Sequence, residues 1–471
     1  METIHDEVGF AIIAVLAVVA FLNPFSGMLF LVASQVIPDP PGAGIFTVAR
    51  FGVVGFTIVR LLKGNWRFGS ITKQFILAGL PFVAWVVLCQ LMNQHIEAAE
   101  PIVLAFIVGL IGADLVDQAQ ERAPLCLICI LLGALLAASY YWLLKSGVQP
   151  AAFTLLYSNL GDSAQFYNSG DRIGAGRGNC ELSGPNDALA LVGLISVLAQ
   201  FRSFLPRLVV LVAVSLICVP PLIGAASRAG MVIAMVGLCV LLIYHLMFSQ
   251  GQMESANFLF SIAGVAVMVG ALLLSPLDKV LGIKYSLSVL ADHTESVGGN
   301  SNLLAGRDNV WFYGAKAVAS YPLFGVPPEA VVDIPAEYED NPEFFCSHNT
   351  FIDAGLVGGI IGMILFGWFL IQPLRALLRP TDGVAHITAL VTYFEILLMI
   401  SVGSLINLKT LWLLWPLAIA IGQGKAKGMF GLNAWKLEQN PLVESKEESG
   451  MHRPPFRPSW RQRTRVTRHA D

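Results

Sequence analysis

The chain has 471 residues, of which 55% are hydrophobic and 13% charged, with a formal net charge of −3 and a positive mean hydropathy. A soluble domain of that composition could not hide its apolar surface from water, so the ordinary soluble globular class is excluded. An all-α integral membrane protein is expected instead.

A helix needs roughly 20 apolar residues to cross ~30 Å of hydrocarbon. In chain order, such segments occur at Gly9–Val32, Ala43–Leu62, Gln74–Leu91, Pro101–Val116, Pro124–Leu144, Asn186–Phe201, Leu208–Gly224, Ala229–Met247, Phe258–Ser275, Asn349–Ile371, Ile387–Leu405 and Thr410–Ile421. The sequence thus predicts a polytopic bundle of about 12 transmembrane helices. Residues 1–144 form N-terminal spans, 145–185 a loop, 186–275 central spans, 276–348 a large loop, 349–422 C-terminal spans and 423–471 a basic tail. Asn23-Pro24 marks the first segment as kinked or as two half-helices. No small-residue cleavage site follows a hydrophobic stretch, so Gly9–Val32 reads as retained.

Short cytoplasmic loops are enriched in Lys and Arg. Arg60, Lys63, Arg67 and Lys73 follow the second segment, Arg202 and Arg207 the sixth, and Arg375 and Arg379 the tenth, all on one side. The tail adds Lys425, Lys427, Lys436, Lys446, Arg453, Arg457, Arg461, Arg463, Arg465 and Arg468. With an even number of spans, both termini are expected in the cytoplasm and the two long loops outside. Pro454, Pro455 and Pro458 among those arginines suit topology and anionic-lipid contact better than nucleic-acid binding.

Cys89, Cys126, Cys129, Cys218 and Cys239 lie in apolar spans, where thiols behave as small hydrophobes. Cys126-x-x-Cys129 has no His, acid or polar loop beside it, which favours core packing over a redox or zinc pair. Cys180 and Cys346 both fall on outward loops, in an oxidising compartment, and are candidates for a disulfide.

Ser347-His348-Asn349-Thr350-Phe351-Ile352-Asp353 is where the large loop re-enters an apolar segment. An imidazole there, with an ordinary pKa of about 6.5, suits proton exchange near neutrality. Asn349 and Asp353 are four apart and are expected to share a helical face toward the outer water layer. Gly355, Gly358, Gly359 and Gly362 would let neighbouring helices pack closely beneath them. Arg228 follows Ser227 on the outward side, flanked by Gly224, Ala225, Ala226, Ala229 and Gly230. A snorkelling anchor would favour the cytoplasmic side, so anion binding by the planar guanidinium explains it better. Arg307 precedes a short helix that Asp308 or Asn309 can cap, with Trp311 and Tyr313 suited to the headgroup level. Arg50 and Glu395 lie midway through the second and eleventh segments, where an unpaired charge is costly. They are expected to pair with each other or with Asp114, or Arg50 with a substrate phosphate, and an ion or proton pathway is the competing reading.

Gly306-Arg307-x-x-x-Trp311, then Pro322-Leu323-Phe324-Gly325-Val326, then His348-Asn349 and Gly355-x-x-Gly358 form an ordered set. It resembles the signature domain of O-antigen ligases and related polysaccharide polymerases. Ser227-Arg228 and Gly184-Pro185-Asn186-Asp187 resemble two further family motifs, whereas the acidic stretch 333–343 and Cys346 depart from the pattern. The resemblance implies a helix bundle with a periplasmic helical cap, grouped with the lipid-phosphosugar (C class) glycosyltransferases of the bacterial inner membrane. It implies transfer of an undecaprenyl-diphosphate-linked glycan to a hydroxyl of lipid A-core or of a growing glycan, with inversion. Arg228 and Arg307 would hold the diphosphate and His348 would stand at the reaction centre, with Asn349, Asn186, Trp311, Arg50 and Asp353 as substrate-binding candidates. The chain has no Asp-x-Asp, His-Glu-x-x-His or phosphate-cradling loop, so neither metal nor cofactor is expected. The rival class is a transporter or flippase of a lipid-linked or small solute.

Overall fold

A computed structural model describes residues 2–36, 47–64, 68–145, 180–198, 204–224, 228–248, 307–326, 347, 349–379, 384–403 and 409–424. The helices are α1 (Glu2–Phe21), α2 (Pro24–Val36), α3 (Thr47–Lys63), α4 (Ser70–Met92), α5 (Glu100–Gln118) and α6 (Ala123–Lys145). They continue with α7 (Cys180–Leu198), α8 (Phe204–Gly224), α9 (Arg228–Phe248), α10 (Arg307–Ser320), α11 (Thr350–Leu377), α12 (Val384–Val402) and α13 (Lys409–Gly422). Among the described residues, five stretches are long and apolar enough to cross a membrane: Ser70–Met92, Ile96–Gln118, Leu205–Ile223, Thr350–Leu377 and Ala385–Val402. An all-helical membrane class follows, because in lipid each backbone polar group needs a partner within the protein. The expected span Phe258–Ser275, most of both long loops and the basic tail lie outside the described residues.

The first apolar segment is not one span. Asn23 Oδ1 accepts from Phe25 N (2.9 Å) and so starts a new helix, while α1 ends at Phe21. Lys63 Nζ at the end of α3 donates to Leu22 O (2.9 Å), and Gly55 of α3 abuts Ala17 of α1. Helices α1 and α3 therefore run side by side in the same direction, with α2 folding back.

Side-chain contacts fix two ends. At one end, Asp117 accepts from Ile71 N (3.0 Å), Thr72 N (2.7 Å) and Thr72 Oγ1 (2.7 Å), joining the end of α5 to the start of α4. Gln423 after α13 bonds Gln74 (3.0 Å), and the Arg122 guanidinium sits over the Phe25 ring. Ser196 Oγ and Thr388 Oγ1 (2.9 Å) bring the end of α7 and the start of α12 to the same level. Lys63, Lys73, Arg122, Arg207, Arg375 and Arg379 all cluster toward this cation-rich end, as the distribution of positive charge predicts.

Between the ends lies an aromatic core. Phe75 packs against Phe106 (5.4 Å between centroids), Phe369, Trp412 and Trp415, and both tryptophans are fully buried. Pro373 within α11 has no N–H to offer the carbonyl one turn back. Trp415 Nε1 takes that place, donating to Phe369 O at 2.8 Å, and Tyr393 Oη donates to the adjacent Leu370 O at 2.8 Å.

Candidate functional site

The end opposite the cations is built around a break. Gly359, in the interior of α11, has φ 64° and ψ −165°, a region essentially restricted to glycine. A Cβ on Gly362 would stand 2.7 Å from Ala354 O, and one on Gly355 2.8 Å from Met363 Sδ. A straight helix would separate residues eight apart by ~12 Å, so the chain bends sharply here. Its first limb, residues 350–358, is a half-helix, and the second, 360–377, is ~27 Å long, about the hydrocarbon thickness.

The break frees backbone groups, and other segments satisfy them. Val326 N donates to Leu356 O (2.8 Å), Gln90 Nε2 to Val357 O (2.8 Å) and Trp85 Nε1 to Gly358 O (2.8 Å). Ile360 N donates to Pro322 O (2.8 Å). The turn after α10, Pro322-Leu323-Phe324-Gly325, is thus a splint pressed into the bend. Asn93 Nδ2 reaches Phe324 O (3.2 Å), and the Phe324 ring stacks on Trp85 at 6.0 Å. Gly325 takes φ 76° where a Cβ would meet Gly358 N at 2.9 Å. The glycines read from the sequence as helix-packing residues therefore include one, Gly359, that ends a helix.

The half-helix starts in a tied turn. Asn349 Oδ1 accepts from Phe351 N (3.0 Å) and Ile352 N (3.3 Å), an N-cap that satisfies two orphan donors. Ser347, fully buried, donates through N (3.3 Å) and Oγ (2.5 Å) to Asp353 Oδ1. Thr350 Oγ1 donates to Gly403 O (2.6 Å) at the end of α12. Asn349 and Asp353 do not share a water-facing surface, contrary to the sequence expectation: one caps the helix and the other is buried against Ser347. Both residues flanking position 348 are held, while His348 itself lies outside the described residues.

Arg228 is the first residue of α9 and Arg307 the first of α10, so Asp308 and Asn309 fall in the first turn of α10 rather than at its cap. Helix α9 starts at the end of the bundle that carries Asn349, because α8 returns there from the cation-rich end. The side chains of Arg228 and Arg307 lie outside the described residues, as do Cys346 and the side chain of Cys180. Helix α7 begins at Cys180, and its apolar stretch runs from Pro185 to Leu198, so Pro185 and Asn186 lie inside the helix where that stretch starts. In this half of the bundle, Asp187 Oδ2 in α7 and Trp311 Nε1 in α10 are buried polar atoms without a partner among the described residues.

The intramembrane charges pair differently from expectation. Arg50 lies in the first turn of α3, not midway, and pairs with Glu100, both more than half exposed (52% and 62%). Asp114 pairs with Arg60, their side chains 4% and 8% exposed, and Gln118 Nε2 also donates to Asp114 Oδ2 (2.6 Å). Arg60, read from the sequence as a loop cation, is therefore an interior residue. Glu395 stays buried beside Gly237 of α9, with neither carboxyl oxygen bonded among the described residues. Trp85, Gln90 and Asn93 escaped the sequence reading; two hydrogen-bond donors within an apolar span and a third at its end were the available signal.

Helices with a broken element whose freed backbone is satisfied from neighbouring segments define a polytopic membrane protein with a built, glycine-dependent bend. A family model described as O-antigen ligase matches residues 211–367, from within α8 to beyond the bend in α11. Over that stretch the chain is similar to O-antigen ligases, which supports a membrane glycosyltransferase of this type. No curated protein matches the chain.

Proposed function

We propose that the protein transfers a glycan from undecaprenyl diphosphate to a sugar hydroxyl, on lipid A-core or on a growing glycan, at the periplasmic face of a bacterial inner membrane. The observation that carries this reading is the family match across residues 211–367, which contains Arg228, Arg307, the splint and the bend. Arg228 and Arg307 bind the diphosphate, whose negative charge grows as the glycosidic bond breaks. His348 takes the proton of the acceptor hydroxyl, which attacks from the opposite face and inverts the anomeric centre. Asn186, Asn349 and Trp311 line the substrate path; the Trp311 N–H, without a partner among the described residues, donates to a sugar or phosphate oxygen. Asp353 supports the turn rather than touching substrate.

The test is transfer in proteoliposomes with a lipid-linked glycan donor. Arg228→Ala and Arg307→Ala are each expected to lower the rate by about 10²–10³-fold, on the order of 2.7–4 kcal/mol of barrier, and His348→Ala to leave intact donor unconsumed. Wild-type transfer by all three variants would overturn the proposal. In cells, deletion separates a ligase, which loses attachment to lipid A-core, from a polymerase, which accumulates single repeat units. The buried Glu395 favours the second reading, a transporter or flippase. That reading predicts lost substrate movement in Glu395→Gln with glycan joining unaffected.

A further inference from the structure

Two side chains of α4 end on the broken element, and Asn93, just after α4, ends on its splint. Trp85 and Gln90 bond two successive carbonyls of the bend, Gly358 O and Val357 O, and Asn93 bonds Phe324 O of the splint. All three lie outside the matched stretch 211–367. A continuous helix would have satisfied the same carbonyls through its own ladder. The chain instead keeps a glycine-only conformation that needs partners from two distant segments, and strained backbone of this kind persists only where its surroundings over-determine it.

Geometry gives the bend leverage. From Gly359 to Asn349 the first limb is ~15 Å long, so a change of about 5° at the bend swings the 347–349 turn by ~1 Å. A displacement of that size costs about 10²-fold in rate when it misplaces reacting groups.

We propose that Trp85, Gln90 and Asn93 form a latch that sets the angle of the half-helix, and that they are positioning residues for glycosyl transfer. They touch no substrate; they act through the bend and the capped turn beside position 348. The effect on rate rests on the transfer reading above, whereas the latch can be measured without it.

The experiment compares Trp85→Phe, Gln90→Met and Asn93→Leu with wild type in two readouts. Hydrogen–deuterium exchange follows the amides of Val326 and Ile360, which donate across the bend. Transfer kinetics with an undecaprenyl-diphosphate-linked glycan give kcat and KM separately. The latch predicts faster exchange at both amides and a kcat lowered about tenfold or more, with KM for the donor within about threefold of wild type. A normal kcat in folded variants overturns the positioning role, and so does a lowered kcat with unchanged exchange. Faster exchange in variants of a wild type that transfers nothing overturns the transfer reading and the positioning role with it, and the exchange data distinguish this from failure of the latch. Should the single variants misfold, N93C/F324C in a background lacking the native cysteines gives a second test. Oxidation in membranes should cross-link the pair with transfer retained, and absence of the cross-link overturns the docking of the splint on α4.

Discussion

The two ends of this bundle handle polar groups in opposite ways. At the cation-rich end the groups close on one another: Asp117 caps α4, and Arg60 and Asp114 form a buried pair that the exposed Gln118 also bonds. At the other end a helix is broken, its backbone is completed by Trp85, Gln90 and the Pro322–Gly325 turn, and Asp187 and Trp311 each keep a buried atom unpartnered among the described residues. Closed pairs make a foundation that tolerates no loss of one partner. Open groups and a strained bend make a place where another molecule can supply what is missing.

Stability and transfer should therefore respond differently at the two ends. The largest stability loss is expected for Asp114→Ala, which leaves Arg60 buried without its carboxylate, at about 3–5 kcal/mol. The double replacement R60L/D114L should recover most of it, measured by unfolding in mixed micelles. A single variant as stable as wild type would break the contrast. Gly359→Ala comes next, on the order of 3 kcal/mol, because a Cβ there would stand 2.6 Å from Leu323 O. Unlike Asp114→Ala, any protein recovered should have lost transfer. Asp117→Ala removes a cap from α4 and should cost about 1–2 kcal/mol, with transfer unchanged when assayed below the melting temperature. The smallest effect is expected for Arg50→Ala, below about 1 kcal/mol, since its pair with Glu100 is largely exposed. A large loss of donor binding in that variant would mark Arg50 as a ligand to phosphate and move it into the functional site.

Much of the helix order was legible because hydrophobic runs of membrane length are long and uninterrupted, and α4, α5, α6, α9 and α13 start and stop within a few residues of their expected positions. The partners of charges were not legible. Whether Arg60 meets Asp114 or Arg50 meets Glu100 depends on which helices lie side by side, and residues 54 and 50 apart in sequence carry no local sign of it. The Asn23-Pro24 signal gave the interruption but not the reversal, which is fixed by Lys63 reaching back to Leu22. The bend was half visible. Gly358-Gly359 in an apolar run is a recognised site for a kink, yet the same glycines fit close helix packing, and only the splint and α4 donors decide between the two.

The latch also imposes an order on biogenesis. Trp85 lies 273 residues and Gln90 267 residues ahead of the carbonyls they bond, so α4 leaves the ribosome long before its partners exist. During that interval an indole and a carboxamide must wait in the bilayer or at its surface with other acceptors. The last third of translation then completes a helix-scale joint begun in the first. A truncated chain ending before the bend would insert with α4 incomplete, a natural substrate for membrane quality-control proteases.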